Sequence, residues 1–263
     1  MKKSKKILLV AGIAALVMVV AGIIIAAVFL DDIVKKGVET VGPQITKVPI
    51  TLNEVHIGLI TGSAKVKGLV VGNPAGYQTP YAISVGLAEV GVNPISVLSD
   101  KIIIRSIHVK SPEITFEGNP LGKNNLGDIM DSVNAIAKSG GPPSTNTTAK
   151  AGAKKPAQKI EVDDFLITGA QVHVSVTGMG GKEMTLPLPD IHLANLGKGG
   201  DGLTPTDLTR AVMSAITAAT IKAVASAATD LGKGMENLGK GAGKNLGEDA
   251  NKIKKGIGGL FGK

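Results

Sequence analysis

The sequence predicts an α+β protein: an N-terminal transmembrane helix, then an elongated, curved and mostly antiparallel β-sheet. One or two packed helices and an amphipathic C-terminal helix or tail complete the prediction. Three observations support it. Residues 7–30 contain no charged side chain. From Ile45 onward, apolar residues alternate with polar ones between turns rich in Gly, Pro and Asn. Helical periodicity returns near residue 124 and again from residue 204.

The uncharged run from Ile7 to Leu30 is long enough to cross a bilayer. At about 1.5 Å per residue it would form a helix of about 36 Å, against a hydrocarbon core of about 30 Å. Lysines precede it and Asp31 follows it, so the positive-inside rule places the N-terminus in the cytoplasm. The alternative is a cleaved signal peptide, whose apolar region is shorter and ends at small residues. We favour an uncleaved anchor, which includes Ile7, Leu16, Ile24 and Leu30.

Composition excludes several classes of function. The chain has no cysteine, which removes disulfides, thiolate nucleophiles and thiolate metal sites. Aromatic residues make up 2% of the sequence, too few for stacking on nucleic-acid bases. The net charge of +8 is concentrated in lysines of the N-terminal flank, a central linker and the C-terminal tail. We therefore predict no nucleic-acid partner and attribute these charges to solvation or to anionic lipid headgroups.

The chain divides by composition into five parts. Residues 1–30 are the basic flank and anchor, and residues 31–138 are the first part of a β-rich domain. Residues 139–159 form a disordered linker or loop, since apart from prolines they contain no apolar side chain larger than Ala. Residues 160–230 are the second part of the β-rich domain with a closing helix. Residues 231–263 form a Gly- and Lys-rich tail, either a membrane-surface amphipathic helix or a frayed end.

The periodicity places the individual elements. A short helix follows the anchor and is expected to end at Gly42-Pro43. Later helices are expected from Asn124 and from Thr204 to about Asp230, the second with Thr204 as N-cap. Strands are expected at Ala64–Val71, Ala82–Val92, Lys101–Val109, Glu113–Glu117, Ile160–Val162 and Phe165–Thr177, with a proline-containing edge strand over Glu183–Leu193.

No motif for catalysis or cofactor binding is found in the sequence. The four histidines stand alone on strand-like stretches, without metal-ligand spacing. The segment that starts at Gly234 imitates a phosphate-binding loop, but Gly241 replaces the required Ser or Thr and no strand precedes it. We therefore predict no enzyme activity, no cofactor, and no catalytic or metal-ligating residue.

Three segments of the sequence resemble the sequences of a known family. They run from Gly68 to Tyr77, from Ile95 to Ile102 and from Ile107 to Phe116, behind the N-terminal anchor. Together they resemble the AsmA-like family of bacterial envelope proteins. The resemblance implies an inner-membrane anchor, a periplasmic domain of long curved antiparallel sheet, and a role in outer-membrane biogenesis or phospholipid movement. The larger members are similar to bridge-like lipid-transfer proteins, whose sheet forms an aliphatic groove.

Two functions follow as hypotheses. The first is a non-enzymatic, inner-membrane-anchored periplasmic protein whose aliphatic sheet binds or transfers phospholipid. The second is a scaffold or adaptor that docks on an envelope protein, or on another copy of itself, through the sheet edge or the C-terminal tail. The groove hypothesis rests on apolar residues of the predicted strands, which would equally serve as a core beneath the helices: Val66, Val70, Ile103, Ile107, Val172, Val174 and Val176.

Overall fold

The computed structural model describes residue 18 and residues 29–120, 122–140, 158–175 and 184–230. This part of the chain is an α+β fold with one mixed sheet and three helices. The chain divides into two compact units, Met1–Thr220 and Ile221–Lys263. The first contains the whole described sheet. In the second, only residues 221–230 are described, and they are helical. The α+β class is confirmed, whereas the anchor run and the tail lie almost wholly outside the described residues.

Helix α1 covers residues 29–46, α2 Asn125–Lys138 and α3 Pro205–Asp230, and a 3₁₀ helix covers Pro94–Leu98. The strands are β1 (Ile50–Thr51), β2 (Glu54–Gly58), β3 (Ser63–Val71), β4 (Ile83–Val92), β5 (Lys101–Lys110), β6 (Glu113–Glu117), β7 (Lys159–Thr168), β8 (Gln171–Ser175), β9 (Met184–Pro187) and β10 (Ile191–Leu196).

Several strand segments lie end to end, so that the ten segments make six strand lines: β1–β2, β3, β4, β5–β6, β7–β8 and β9–β10. β1 and β2 together pair with β3, which pairs with β4. β4 pairs with both β5 and β6, and these pair in turn with β7 and β8. β10 and β9 flank β7 and β8. The pairing is mostly antiparallel, as expected, but β5–β7 and β6–β8 are parallel, because the whole connection from β6 to β7, which includes α2, returns the chain to the end where β5 began.

The pairing between neighbouring strand lines is interrupted at one position in each line, although β3 and β4 remain single strands there. The registers are the same on both sides of the interruption, so the interrupting residues stand opposite one another. We call this line the crease; it consists of Asn53, Gly68, Gly86, Ser111, Gly169 and Pro189. Across the crease, each line turns two residues spaced by three toward the same face, where regular strands would space them by two. These pairs are Leu52/Val55, Val66/Leu69, Val85/Ala88, Val109/Pro112, Ile167/Ala170 and Leu188/Ile191.

The crease needs unusual backbone conformations. Gly68, Ser111 and Gly169 have φ angles of 61°, 46° and 64°, in the left-handed region that L side chains rarely adopt. A Cβ on Gly68 would lie 2.3 Å from Asn53 Nδ2. Glycine is therefore required at this position both by the backbone and by the neighbouring strand. The expected break between Val162 and Phe165 is wrong, since β7 runs from Lys159 to Thr168. The strand ends instead before Gly169, whose backbone is left-handed.

Helix α1 covers the β1–β2 edge of the sheet. Asp31 Oδ1 accepts a hydrogen bond from Ile57 N at 2.9 Å, and Glu39 Oε1 accepts one from Leu52 N at 2.9 Å. Between them, Lys35 Nζ donates to Asn53 O at 3.0 Å. The three charged residues are spaced by four and so lie on one face of the helix. They satisfy backbone groups that an edge strand would otherwise leave unpaired.

Helix α1 extends further than the sequence indicated. The expected end at Gly42-Pro43 is wrong, since the helix continues to residue 46 and Lys47 N donates to Pro43 O at 2.9 Å. Thr46 Oγ1 donates to Gly42 O at 3.0 Å and supports this last turn. Gly42 also lets β1 approach, because a Cβ there would lie 2.7 Å from Ile50 Cδ1.

Helix α2 packs on β6 and closes the dense part of the core. The helix begins where the sequence indicated, and Asn124 caps it by accepting from Gly127 N at 2.8 Å. Its buried stripe, Leu126, Ile129 and Val133, is fully excluded from solvent, as is Phe116 on β6. Asn125 is also buried, and its side chain bonds to Glu117 N and Thr115 O of the adjacent strand.

A buried carboxylate fastens the β3–β4 loop. Glu117 accepts hydrogen bonds from the backbone of Gln78 and Thr79 and from Thr79 Oγ1, at 2.8–2.9 Å. Burial raises the pKa of Glu117, but these hydrogen bonds together outweigh it and hold the pKa below its usual value.

We expect Gly68→Ala to lower the free energy of unfolding by ~1–3 kcal/mol, because alanine is strained at this φ and its Cβ meets Asn53. The matched control is Gly86→Ala on the facing strand, where a Cβ meets nothing within 4 Å and φ is not positive. Denaturant unfolding of both variants tests this. Equal stability of the two would show that the crease imposes no conformational constraint.

We expect Glu117→Gln to lower the free energy of unfolding at neutral pH by ~1–3 kcal/mol, since an amide accepts these hydrogen bonds less strongly than a carboxylate. The pKa of Glu117 is lower in the folded than in the unfolded chain. The carboxylate's stabilisation is therefore complete above the unfolded pKa of about 4.3 and lost as the pH falls through the folded pKa.

Thermal unfolding from pH 7 to pH 3 measures this effect. The wild type should lose stability more steeply than Glu117→Gln below about pH 4.3. The control is Glu54→Gln on β2, which removes an exposed carboxylate paired with Lys67 and none of the hydrogen bonds to the β3–β4 loop. Parallel profiles for the wild type and Glu117→Gln would contradict the assigned role.

Candidate functional site

An apolar cavity of about 340 Å³ lies between the sheet and helices α1 and α3. Val34 and Val38 of α1 and Val212 of α3 line the side opposite the strands. The strands contribute a continuous aliphatic surface from Ile50 in β1 to Ile167 in β7. None of the described residues that line the cavity is charged, and its polar side chains are two threonines. Such a site suits an apolar ligand and excludes an ionic one.

The crease produces this cavity. Four of its i, i+3 pairs line the cavity, on the lines from β1–β2 to β5–β6, and Ile167 adds one half of a fifth. Because the two residues between each pair turn to the other face, no side chain occupies the cavity side of the sheet between the members of a pair. The wider spacing accounts for unfilled space beneath α1 and α3 along the crease. Ala88, the smallest residue of the lining, widens it.

Helix α3 covers the cavity with its first half. Thr204 caps the helix by accepting from Asp207 N at 3.1 Å, and Pro205 occupies its first position, as the sequence indicated. Leu208, Val212 and Ile216 then project into the cavity. Among the described residues, this helix is long and apolar enough to span a membrane, by length and composition alone. Its lining residues place one face of its first half over the cavity, while only 28% of its most apolar window is buried.

The predicted groove residues fall into three groups. Val66 and Ile107 line the cavity. Val172 and Val174 are buried on β8, beside β6, in the dense core near α2. Val70 and Ile103 are half-buried and are not among the lining residues. Val70 was assigned to the face of Val66 by simple alternation, and the crease at Gly68 reverses that assignment.

Two further sets of predicted residues have limited structural description. Val176 lies outside the described residues. So do three of the four anchor residues, Ile7, Leu16 and Ile24, whereas Leu30 is half-buried in the first turn of α1.

Most of the lining residues are not among the predicted groove residues, including Leu52, Val55, Leu69, Val85 and Ala88. One signal could have found them: each of the six strand lines contains two apolar residues spaced by three, in several cases around Gly or Ser-Pro. Read one strand at a time, that spacing looks like imperfect alternation. It becomes informative only when all the strands are aligned.

The opposite face of the sheet is polar. Glu89 on β4 lies between two lysines, with Oε1 3.9 Å from Lys65 Nζ and Oε2 2.6 Å from Lys110 Nζ. The hydrogen bond from Lys110 holds the pKa of Glu89 below its usual value. The histidines are dispersed: His192 pairs with Asp164, and His173 with Thr185. Within the described ranges, no group of three or more His, Cys, Asp or Glu side chains could hold a metal ion.

The geometry thus defines an α+β protein with a creased sheet and a helix-covered aliphatic cavity. The AsmA family model matches residues 1–180, about two thirds of the chain. The protein belongs to the AsmA family, which associates it with the bacterial envelope and its biogenesis. No curated protein and no solved structure matches the chain.

The cavity predicts opposite effects for one substitution at two buried alanines. Ala88→Leu should raise the free energy of unfolding by ~0.5–2 kcal/mol, because the added side chain fills empty apolar space. Ala82→Leu should lower it by ~1–3 kcal/mol, because Ala82 is fully buried and does not line the cavity. Denaturant unfolding of delipidated protein gives both values. Destabilisation of similar size at both positions would show that the region is close-packed.

Proposed function

We propose that this protein is a non-enzymatic envelope protein that holds an acyl chain of a phospholipid in the cavity over its crease. In this proposal, residues 7–30 anchor it in the inner membrane, the N-terminus is cytoplasmic and the bulk of the chain is periplasmic. The observation that carries the proposal is the aliphatic lining of the cavity. A lining without charge stabilises hydrocarbon, and a site at the lower end of the ~300–1,000 Å³ range for ligand pockets suits a small occupant.

The size of the cavity supports one lipid chain. A dry cavity of about 150 Å³ accommodates benzene, so about 340 Å³ corresponds to about a dozen carbon atoms. Six strand lines spaced by about 4.8 Å make a sheet only about 24 Å across. Such a sheet is too narrow to connect two membranes. We therefore propose lipid binding within a larger envelope process, with long-range transfer dependent on further copies or partners.

The test uses the full chain in membranes that contain a phospholipid with a photoactivatable group in its acyl chain. After irradiation, mass spectrometry locates the adducts. We expect adducts on peptides of β4 and on the first half of α3. Ala88→Phe should abolish them by filling the cavity, whereas the matched variant Leu87→Phe should retain them, since Leu87 pairs with the exposed Lys67 and Lys110.

The distribution of adducts shows whether lipid contacts the cavity or only the proposed anchor. Adducts confined to residues 7–30 would agree with the anchor and exclude the cavity as a lipid site. Adducts that persist in a folded Ala88→Phe variant would also exclude it. Circular dichroism of both variants establishes that they are folded.

The scaffold hypothesis has one supporting observation. Within the described residues, β9 and β10 pair on one side only, whereas α1 covers the opposite edge of the sheet. An unpaired edge accepts a strand from a partner protein or from a second copy. Pull-downs with the full chain and with a chain that ends at Asp230 separate the two docking sites of this alternative, since a partner that is retained on truncation docks on the sheet edge and one that is lost docks on the C-terminal tail. Loss of a partner on truncation, together with no lipid adduct on the cavity, would favour the scaffold.

A further inference from the structure

Four apolar side chains are exposed at one end of the sheet. Ile60, in the turn between β2 and β3, is 86% exposed. Ile95 and Leu98, in the 3₁₀ helix between β4 and β5, are 82% and 93% exposed, and Val97 beside them is also exposed. We call these four residues the apolar tip. Large aliphatic side chains grouped in this way mark an interaction surface.

The two segments that carry the apolar tip are adjacent. Val92 N donates to Gly62 O at 2.6 Å, which joins the turn to the end of β4. A Cβ on Gly62 would lie 2.8 Å from Pro94 Cγ, so the turn packs closely against the start of the 3₁₀ helix. Residues 57–64 and 90–99 contain no charged side chain. Outside these two segments, Arg105 Nη2 donates to Val92 O at 2.8 Å and keeps a cation beside the tip, where anionic lipid headgroups would accept it.

Several backbone groups around the 3₁₀ helix of the tip are hydrogen-bonded within the protein. Ser96 Oγ donates to Asn93 O at 2.7 Å and accepts from Ile103 N at 2.9 Å. Gln158 Nε2 donates to Val97 O at 3.0 Å and to Ser99 O at 2.8 Å. Unpaired backbone groups are the main cost of placing an irregular segment in lipid. These bonds lower that cost for the 3₁₀ helix, whose apolar side chains are exposed.

The tip lies at the end where the N-terminal segment joins the fold. The hydrogen bond from Ile57 N to Asp31 places the start of α1 beside the end of β2, next to the turn that carries Ile60. Phe29 and Ile33 in the first turns of α1 are 63% and 62% exposed. The uncharged run of residues 7–30 therefore leads directly to this end of the sheet.

We propose that the apolar tip inserts into the surface of the bilayer that holds residues 7–30, as a second membrane contact. The inference rests on the proposed anchoring and is independent of whether lipid occupies the cavity. Two separate contacts with one bilayer determine how the sheet stands on the membrane, which a single spanning segment does not. The end of the sheet that carries β2, β4 and the start of β5 would face the lipid headgroups.

The absence of cysteine makes a direct test possible. Single variants Ile60→Cys, Leu98→Cys and Ala75→Cys are labelled with an environment-sensitive fluorophore. The full chain is then reconstituted into vesicles of phosphatidylethanolamine and phosphatidylglycerol, with or without acyl-brominated lipid. Ala75 is the matched control because it is exposed in the β3–β4 loop, at the opposite end of the sheet.

The labels at Ile60 and Leu98 should show a blue-shifted emission that brominated lipid quenches, and the label at Ala75 should show neither effect. Flotation of the vesicles reports anchoring separately. A chain that floats while the Leu98 label remains unquenched would overturn the second contact and leave the anchor intact. A blue shift without quenching would indicate a second protein copy at the tip and would equally overturn the proposal. A chain that fails to float would overturn the anchoring on which the inference rests.

Discussion

The crease across the sheet is the constraint on which the rest of the structure depends. Six strand lines change the direction of their side chains at aligned positions, and three of those positions have left-handed backbone. One such interruption in a single strand would be a local bulge. Aligned through six lines, the interruptions leave the pairing register intact on both sides and move a row of aliphatic pairs apart. The cavity follows from this geometry, because the wider spacing of these pairs leaves space unfilled between the sheet and helices α1 and α3.

The two sides of the cavity differ in how they are closed. Toward β6 and β8, α2 packs densely, and Leu126, Ile129 and Val133 are fully buried. Toward β1 and β2, α1 is held by charged side chains that bond to the edge of the sheet. These side chains satisfy backbone groups without filling the space between helix and strands. The result combines a well-packed region, which stabilises the fold, with an unfilled aliphatic region in which a lipid chain would replace lost packing contacts.

Helix α1 connects the proposed membrane anchor to the proposed lipid site. It begins at the end of the sheet that carries the apolar tip, runs along the β1–β2 edge, and presents Val34 and Val38 to the cavity. A lipid site and two membrane contacts would then lie along one side of the sheet. In this arrangement the anchor does more than determine location, since it sets the distance between the cavity and the bilayer from which a lipid would come.

The sequence alone was sufficient for what depends on local patterns. Helix α3 and its Thr204 cap, helix α2 with Asn124, and strands such as β6 agree with their predicted limits, because caps and periodicity act within a few residues. The family was also recognisable from short phrases. The lining was predictable only in part, as Val66 and Ile107, because a crease is a relation among six strands distant in sequence. Whether Val70 faces the cavity depends on the conformation of Gly68, and whether Gly42-Pro43 ends a helix depends on the packing of β1 beside it. Tertiary contacts decided both questions, because in each case the preference of a short segment competes with a neighbour that is distant in the sequence.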